Sequence, residues 1–167
     1  MVSQKNTSVS VVMGSDSDMA IMQSCINQLR DFGIEPEVRI ISAHRTPQIA
    51  AEFAENAAKN GKKVIIAAAG MAAHLAGAIA GRTTLPVIGV PIAAKEAMAG
   101  LDALLSTVQM PPGVPVATVA IGKAGARNAA VLAVQILALA DEKLAEKLAD
   151  FKKAQEQKVI EKDAEIQ

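Results

Sequence analysis

His44 and His74 are the only two histidines in this chain of 167 residues. Each stands in a short segment suited to chemistry. His44 belongs to "SAHRTP", residues 42–47, which combines a hydroxyl, an imidazole, a guanidinium and a helix start. An imidazole titrates near neutrality and suits general acid–base work. The guanidinium of Arg45 can fork onto a phosphate. The plainer alternative is a histidine bonded to a loop carbonyl, with Arg45 paired to a surface carboxylate. The residues alone leave both open.

His74 lies in "AAAGMAAHLAGAIAG", a segment that offers backbone more than side chains. Gly70, Ala72 and Ala73 let main-chain N–H groups approach a ligand with nothing bulky between. His74 is expected in the first turns of the helix that follows, where a partly buried structural histidine fits equally well. A third segment, "MGSDSDM", leaves a strand and opens a helix. Gly14 permits a tight turn there, and Ser15 and Ser17 can cap the helix or donate to a phosphate at its positive end. Asp18 can accept from ribose hydroxyls, although helix capping alone accounts for all of these residues. "IGKAGARNAA", with Lys123 and Arg127, is either a further anion site or a subunit contact.

Several classes drop out. No "GKS" or "GKT" marks a P-loop, and there is no GxGxxG, no GxSxG and no HExxH. Two histidines thirty positions apart and a single cysteine leave no recognisable metal shell. Cys25 falls on an apolar helical face, as a buried structural thiol does. Lys+Arg and Asp+Glu balance at 17 each, which argues against a broad nucleic-acid surface. The absence of Trp and Tyr removes the usual stacking partners of a flavin. The polar start "MVSQKNTSVS" lacks a signal peptide's apolar core, so a cytoplasmic protein is expected. Residues 64–81 form an uncharged run just long enough to suggest a membrane span. Ala and Gly dominate it, however, and it divides at Gly70 into a strand and a helix.

These loops must be held by something, and the chain alternates strand, short loop and helix. "VSVVM", "EPEVRII", "KVIIAAA", "LPVIGVPI" and "GVPVATVAI" read as five strands. Helices follow in "MAIMQSCINQLRDFG", "PQIAAEFAENAAKNG", from about Ala72, in "GLDALLSTVQM" and in "GKAGARNAAVLAVQILALA". Pro47 near a helix start and Gly61 at its end obey the usual asymmetry. Strands apolar on both faces imply a parallel sheet covered on both sides, a three-layer α/β/α sandwich. Ligands then bind beyond the carboxyl ends of the strands, where all three loops emerge. The helix "NAAVLAVQILALA" is apolar nearly all round and must be buried, which an oligomer achieves more easily than a monomer. One domain is expected over 1–167, with a core of about 8–140. A charged C-terminal helix of about 141–163 carries Leu144, Leu148 and Phe151 on one stripe, solvated or docked on a neighbouring subunit, with last turns prone to fray.

Taken in order, "VVMGSDSD", "ISAHRTP", "AAGMAAHLAG", "LPVIGVPI", "STVQMPPGVPVATVAIG" and "AGARNAAVLAVQIL" resemble the PurE family over about residues 8–140. That family comprises N5-carboxyaminoimidazole ribonucleotide mutases and related aminoimidazole ribonucleotide carboxylases of de novo purine (IMP) biosynthesis. The resemblance implies a flavodoxin-like sandwich assembled as a homo-octamer, with sites where subunits meet and no metal or organic cofactor. It implies transfer of a carboxylate from the exocyclic nitrogen of a ribonucleotide to ring carbon C4, with carbon dioxide as a bound intermediate. By motif position Ser15, Ser17, Asp18 and Arg45 would hold ribose and phosphate. His44 would shuttle the proton, with Ser42 and Ala43 beside it. Gly70, Ala72, Ala73, His74 and Leu75 would line the pocket for base and carbon dioxide. The mutase branch commonly reads Gly-Gly-Ala-Ala-His-Leu-Pro-Gly, whereas this chain has Met71 for the second Gly and Ala76 for Pro. The carboxylase branch carries a more polar loop, so "AAHLAG" favours the mutase. A ligand-binding scaffold without turnover is the reading from another class.

Overall fold

The computed structural model describes residues 7–94 and 98–167. The polar N-terminal segment read above therefore lies, up to residue 6, outside the described residues. Strands and helices alternate as β1 (Val9–Met13), α1 (Met19–Asp31), β2 (Glu37–Ile40), α2 (Pro47–Asn56), β3 (Val64–Gly70) and α3 (Leu75–Ala80). The second half holds β4 (Val87–Ile92), α4 (Leu101–Val108), β5 (Ala117–Thr118), α5 (Gly122–Ala138) and α6 (Glu142–Ala164). The strands form one parallel sheet in the order β2-β1-β3-β4-β5.

The period-two alternation of the strands divides the core in two. Val9, Val11 and Met13 of β1, with Ile66 and Ala68 of β3, face α1 and α5. Val12, Ile65 and Ala67 face the other way, onto Ala50 and Ala54 of α2 and Leu75 and Ile79 of α3. The expected three-layer sandwich is thus present. Alanine makes it tight: Ala126, Ala129, Ala130 and Ala133 form the buried face of α5. Gly89 is pressed harder still. A Cβ there would stand 2.3 Å from the Thr107 side chain, so α4 can lie against β4 only over a glycine.

Several boundaries differ from the sequence reading. The second helix ends at Asn56, and residues 57–61 turn back to Gly61, whose φ of 78° needs a glycine. The fifth strand pairs over two residues only, at the edge of the sheet, and Pro115 within the expected run has no N–H to donate ahead of it. Helix α5 is not wholly buried within one chain: Leu139 at its end is 88% exposed. The stripe of α6 docks on its own chain, where Leu144, Leu148 and Phe151 pack against the α1–α5 core. Phe151 meets the Phe32 ring edge-on at 5.2 Å, and Lys147 Nζ donates to the Phe32 carbonyl at 2.8 Å. The helix continues to Ala164. Among the described residues no helix is long and apolar enough to cross a membrane.

Candidate active site

The strand order sets the place of the site. From β1 the chain runs to β2 on one side, and from β3 it runs to β4 on the other. The loops after β1 and β3 therefore diverge, leaving a crevice at the carboxyl edge. A cleft of about 420 Å³ occupies it. Gly14, Ser15, Ser17 and Asp18 line it from the first loop, Ser42, Ala43, His44 and Arg45 from the second, and residues 69–72 with His74 and Leu75 from the third.

The first loop is a short 3-10 turn, Asp16–Asp18, that precedes α1. Ser15 Oγ accepts from Ser17 N at 3.3 Å, and Asp18 Oδ2 accepts from Ser15 N at 3.2 Å, a reciprocal capping box. Gly14 N donates to the Ala68 carbonyl at 3.0 Å, pinning the turn to β3. Asp18 is buried. Burial raises its carboxyl above the ordinary aspartate value, opposed by hydrogen bonds from Ser15 and Ser17 and reinforced by the neighbouring Asp16 charge.

The second loop is closed by its own ends. Ser42 N donates to Thr46 Oγ1 at 3.0 Å, Thr46 N donates to the Ser42 carbonyl at 2.9 Å, and Ser42 Oγ accepts from Arg45 N at 3.1 Å. Ser42 thus shapes the turn, and Thr46 is its partner, a role the sequence reading missed. The turn throws His44 and Arg45 outward, and both are exposed. No ion pair or side-chain hydrogen bond among the described residues holds the Arg45 guanidinium.

The third loop departs most from expectation. Gly70 is small for the sake of packing, because a Cβ there would lie 3.0 Å from the Ile92 carbonyl oxygen. Met71 takes a φ of 55°, the left-handed region that favours glycine, and is 55% exposed at the rim. His74 N donates to the Ala72 carbonyl at 2.8 Å, a tight turn that delays the helix. Helix α3 therefore starts at Leu75, and His74 is its N-cap instead of lying in its first turns. Ala73 turns into the protein, 1% exposed, and does not line the cleft. Ala69 and Ala94 line it instead. Ala94 follows β4, so the rule of carboxyl ends would have found it.

The two histidines meet. His44 Nε2 lies 2.8 Å from His74 Nδ1, with the rings edge to face at 79° and centroids 4.9 Å apart. The imidazole is tied to another imidazole and not to a loop carbonyl. Chemically, the cleft offers a guanidinium with no partner among the described residues, a buried carboxylate as acceptor, and a paired acid–base beside small apolar walls. Lys123 and Arg127 stand elsewhere. Arg127 Nη2 donates to Gln28 Oε1 at 3.1 Å, and Arg127 lines a separate groove of about 300 Å³ with Phe151 and Lys152.

Comparison with known proteins follows the same outline. The chain is 49% identical to the N5-carboxyaminoimidazole ribonucleotide mutase of Methanocaldococcus jannaschii, over 95% of this chain and 96% of that one. It is 52% identical to the protein of the same name from Escherichia coli K12, over 92% of this chain and 90% of the other. Among solved structures, Treponema denticola PurE superposes with a TM-score of 0.83 at 32% identity, covering 94% of this chain and 96% of its own. The model of the family described as AIR carboxylase matches residues 8–158. From residue 8, just ahead of β1, to residue 158, well along α6, the chain belongs to that family.

Proposed function

We propose that this protein is an N5-carboxyaminoimidazole ribonucleotide mutase of purine biosynthesis. What carries the reading is the convergence of His44, Arg45 and Asp18 on one cleft, in a chain about half identical to relatives of that name. Arg45, whose guanidinium has no partner among the described residues, would take the phosphate, with Ser15 and Ser17 beside it. Asp18 would accept from the ribose hydroxyls. His44 would be the acid and base. Decarboxylating the carbamate requires a proton delivered to the exocyclic nitrogen, and carboxylating C4 leaves a tetrahedral carbon whose proton must be removed. Carbon dioxide has no charge to grip, so it is retained by a water-poor pocket of small residues, for which Gly70, Ala72 and Leu75 are suited, while Ala73 is buried away from the cleft.

Both histidines are exposed in the single chain, so closure of the pocket falls to other copies. We read the assembly as a homo-octamer in the cytoplasm. Leu101, Leu105 and Val108, spaced as one stripe of α4 and all exposed, support burial against a neighbouring copy. Direct carboxylation of aminoimidazole ribonucleotide is the second reading, favoured by the description of the family model.

The test is turnover of purified protein with N5-carboxyaminoimidazole ribonucleotide in bicarbonate-free buffer, beside His44→Asn. The mutase reading expects the C4-carboxylated isomer from wild type, and a variant that binds the nucleotide without converting it. Turnover only of aminoimidazole ribonucleotide with bicarbonate gives the second reading. Binding of either without turnover would leave a scaffold.

A further inference from the structure

A neutral imidazole carries its hydrogen on one ring nitrogen and leaves the other as an acceptor. At 2.8 Å, His44 Nε2 and His74 Nδ1 must hold one hydrogen between them. That contact ties the two tautomers together. If His44 supplies the bridging hydrogen, both neutral rings are Nε2–H tautomers. If His74 supplies it, both are Nδ1–H tautomers. Among the described residues neither ring has another side-chain or carbonyl partner, so the orienting group that a catalytic histidine ordinarily takes from a carboxylate is here a second imidazole. Two nitrogens stay clear of the contact, Nδ1 of His44 and Nε2 of His74.

We propose that the two imidazoles act as one acid–base unit, in which His74 is the relay partner of His44. A proton taken up at Nδ1 of His44 makes that ring an imidazolium. The Nε2–H bond of His44 then breaks as an N–H bond forms at Nδ1 of His74. His44 is left neutral with its hydrogen on Nδ1, and the positive charge stands on His74. Release of the Nε2 hydrogen of His74 to water or a substrate atom leaves both rings neutral with tautomers exchanged. Run backwards, the same steps deliver a proton from His44. One proton enters, one leaves, and no electron pair departs from either ring. The relay rests on the mutase reading for its substrate: a reaction that must protonate one atom and deprotonate another is served by a unit that passes charge between rings without turning either.

The test uses His74→Asn. An asparagine amide can accept or donate near the place of Nδ1, so it can hold His44 in position, but it cannot pass a proton through. The relay expects kcat to fall by on the order of 100-fold with KM unchanged. It also expects the double variant His44→Asn/His74→Asn to be no slower than His44→Asn alone, as residues of one unit behave. Undiminished kcat in His74→Asn would reduce His74 to positioning, and losses that multiply in the double variant would make the two rings independent. Either overturns the relay. A second readout needs no turnover. With only two histidines, nitrogen-15 imidazole spectra of the substrate-free protein give each tautomer directly. The relay expects the same tautomer in both rings, and opposite tautomers would overturn it. If wild type converts neither nucleotide, the mutase reading falls, and the spectra alone decide whether the rings share a proton.

Discussion

A Cβ placed on Gly125 would lie 1.5 Å from the carbonyl oxygen of Ala120. The first turn of α5 folds back onto the end of the preceding loop, and only a hydrogen fits between them. Since backbone is on both sides, no side chain can move to make room. Gly125→Ala should therefore cost more than about 4 kcal/mol, read as the shift of a urea midpoint or as failure to fold. Gly81→Ala is the control. Its nearest neighbour would be the Gly77 carbonyl oxygen at 3.6 Å, and its backbone is already helical. That substitution should stabilise by about 0.5 kcal/mol through the unfolded chain.

Met71 holds a left-handed backbone, with φ of 55°, where a side chain is disfavoured. Met71→Gly should relieve about 1 kcal/mol of that strain, seen as a rise in Tm. The side chain is more exposed than buried, so little packing is lost to offset the gain. A fall in Tm would mean that the thioether packs better than its exposure implies.

Cys25 is wholly buried, and that burial pushes its thiol up to about 12. The thiolate is the reactive form. At pH 8 a disulfide reagent should leave the native protein unlabelled and modify one thiol per chain once it is unfolded. Rapid labelling of the folded protein would contradict the packing of α1 against the sheet.

Asp18 and Glu37 should bend the pH–stability curve in opposite senses. Burial raises the Asp18 carboxyl, so above its folded pKa the native state bears a charge cost that disappears as pH falls. Asn at this position can still accept from Ser15 N and carries no charge. Asp18→Asn should therefore match or exceed wild-type stability at pH 7, lose that advantage in acid, and bind nucleotide more weakly.

For Glu37, burial pushes the carboxyl up, but hydrogen bonds from Lys62 and Ser10 and the charges of Lys62 and Arg39 outweigh it. The Lys62 contact is 3.0 Å, as is that from Ser10 Oγ. The carboxyl is held below its ordinary value of 4.5. Its stabilisation is complete above that value and is lost as pH falls through the folded pKa. Glu37→Gln should be less stable at pH 7, and the gap should close below pH 4.5. Urea melts of both variants at several pH values check the two signs.

Periodicity carried most of the fold into view. Strands apolar on both faces announced a covered parallel sheet, and the glycines at 33 and 61 marked turns whose φ values, 84° and 78°, demand them. The fifth strand is shorter than its apolar run suggests, because the run passes through Pro115, which cannot donate to a neighbour. The start of α3 was misplaced because a methionine in a glycine's backbone conformation leaves no mark in composition. Of the site, the sheet-edge rule brings three loops together from the sequence alone, and all three line one cleft. It could not say that Ala73 would turn inward, since that depends on the local turn at Ala72. Nor could it give the contact between His44 and His74, for topology fixes an edge and not a distance.

The strand order has a consequence for biogenesis. Apart from Ala94, every described residue lining the cleft lies in the first half of the chain, between Gly14 and Leu75. Yet one face of β1 and β3 is covered by Ala126, Ala129, Ala130, Ala133 and Val134 of α5. On a ribosome the cleft loops emerge early, on a sheet whose one side is covered by α1 alone, and that cover stays incomplete until α5 leaves the exit tunnel. The parts that would do the chemistry are thus made first and locked into place last.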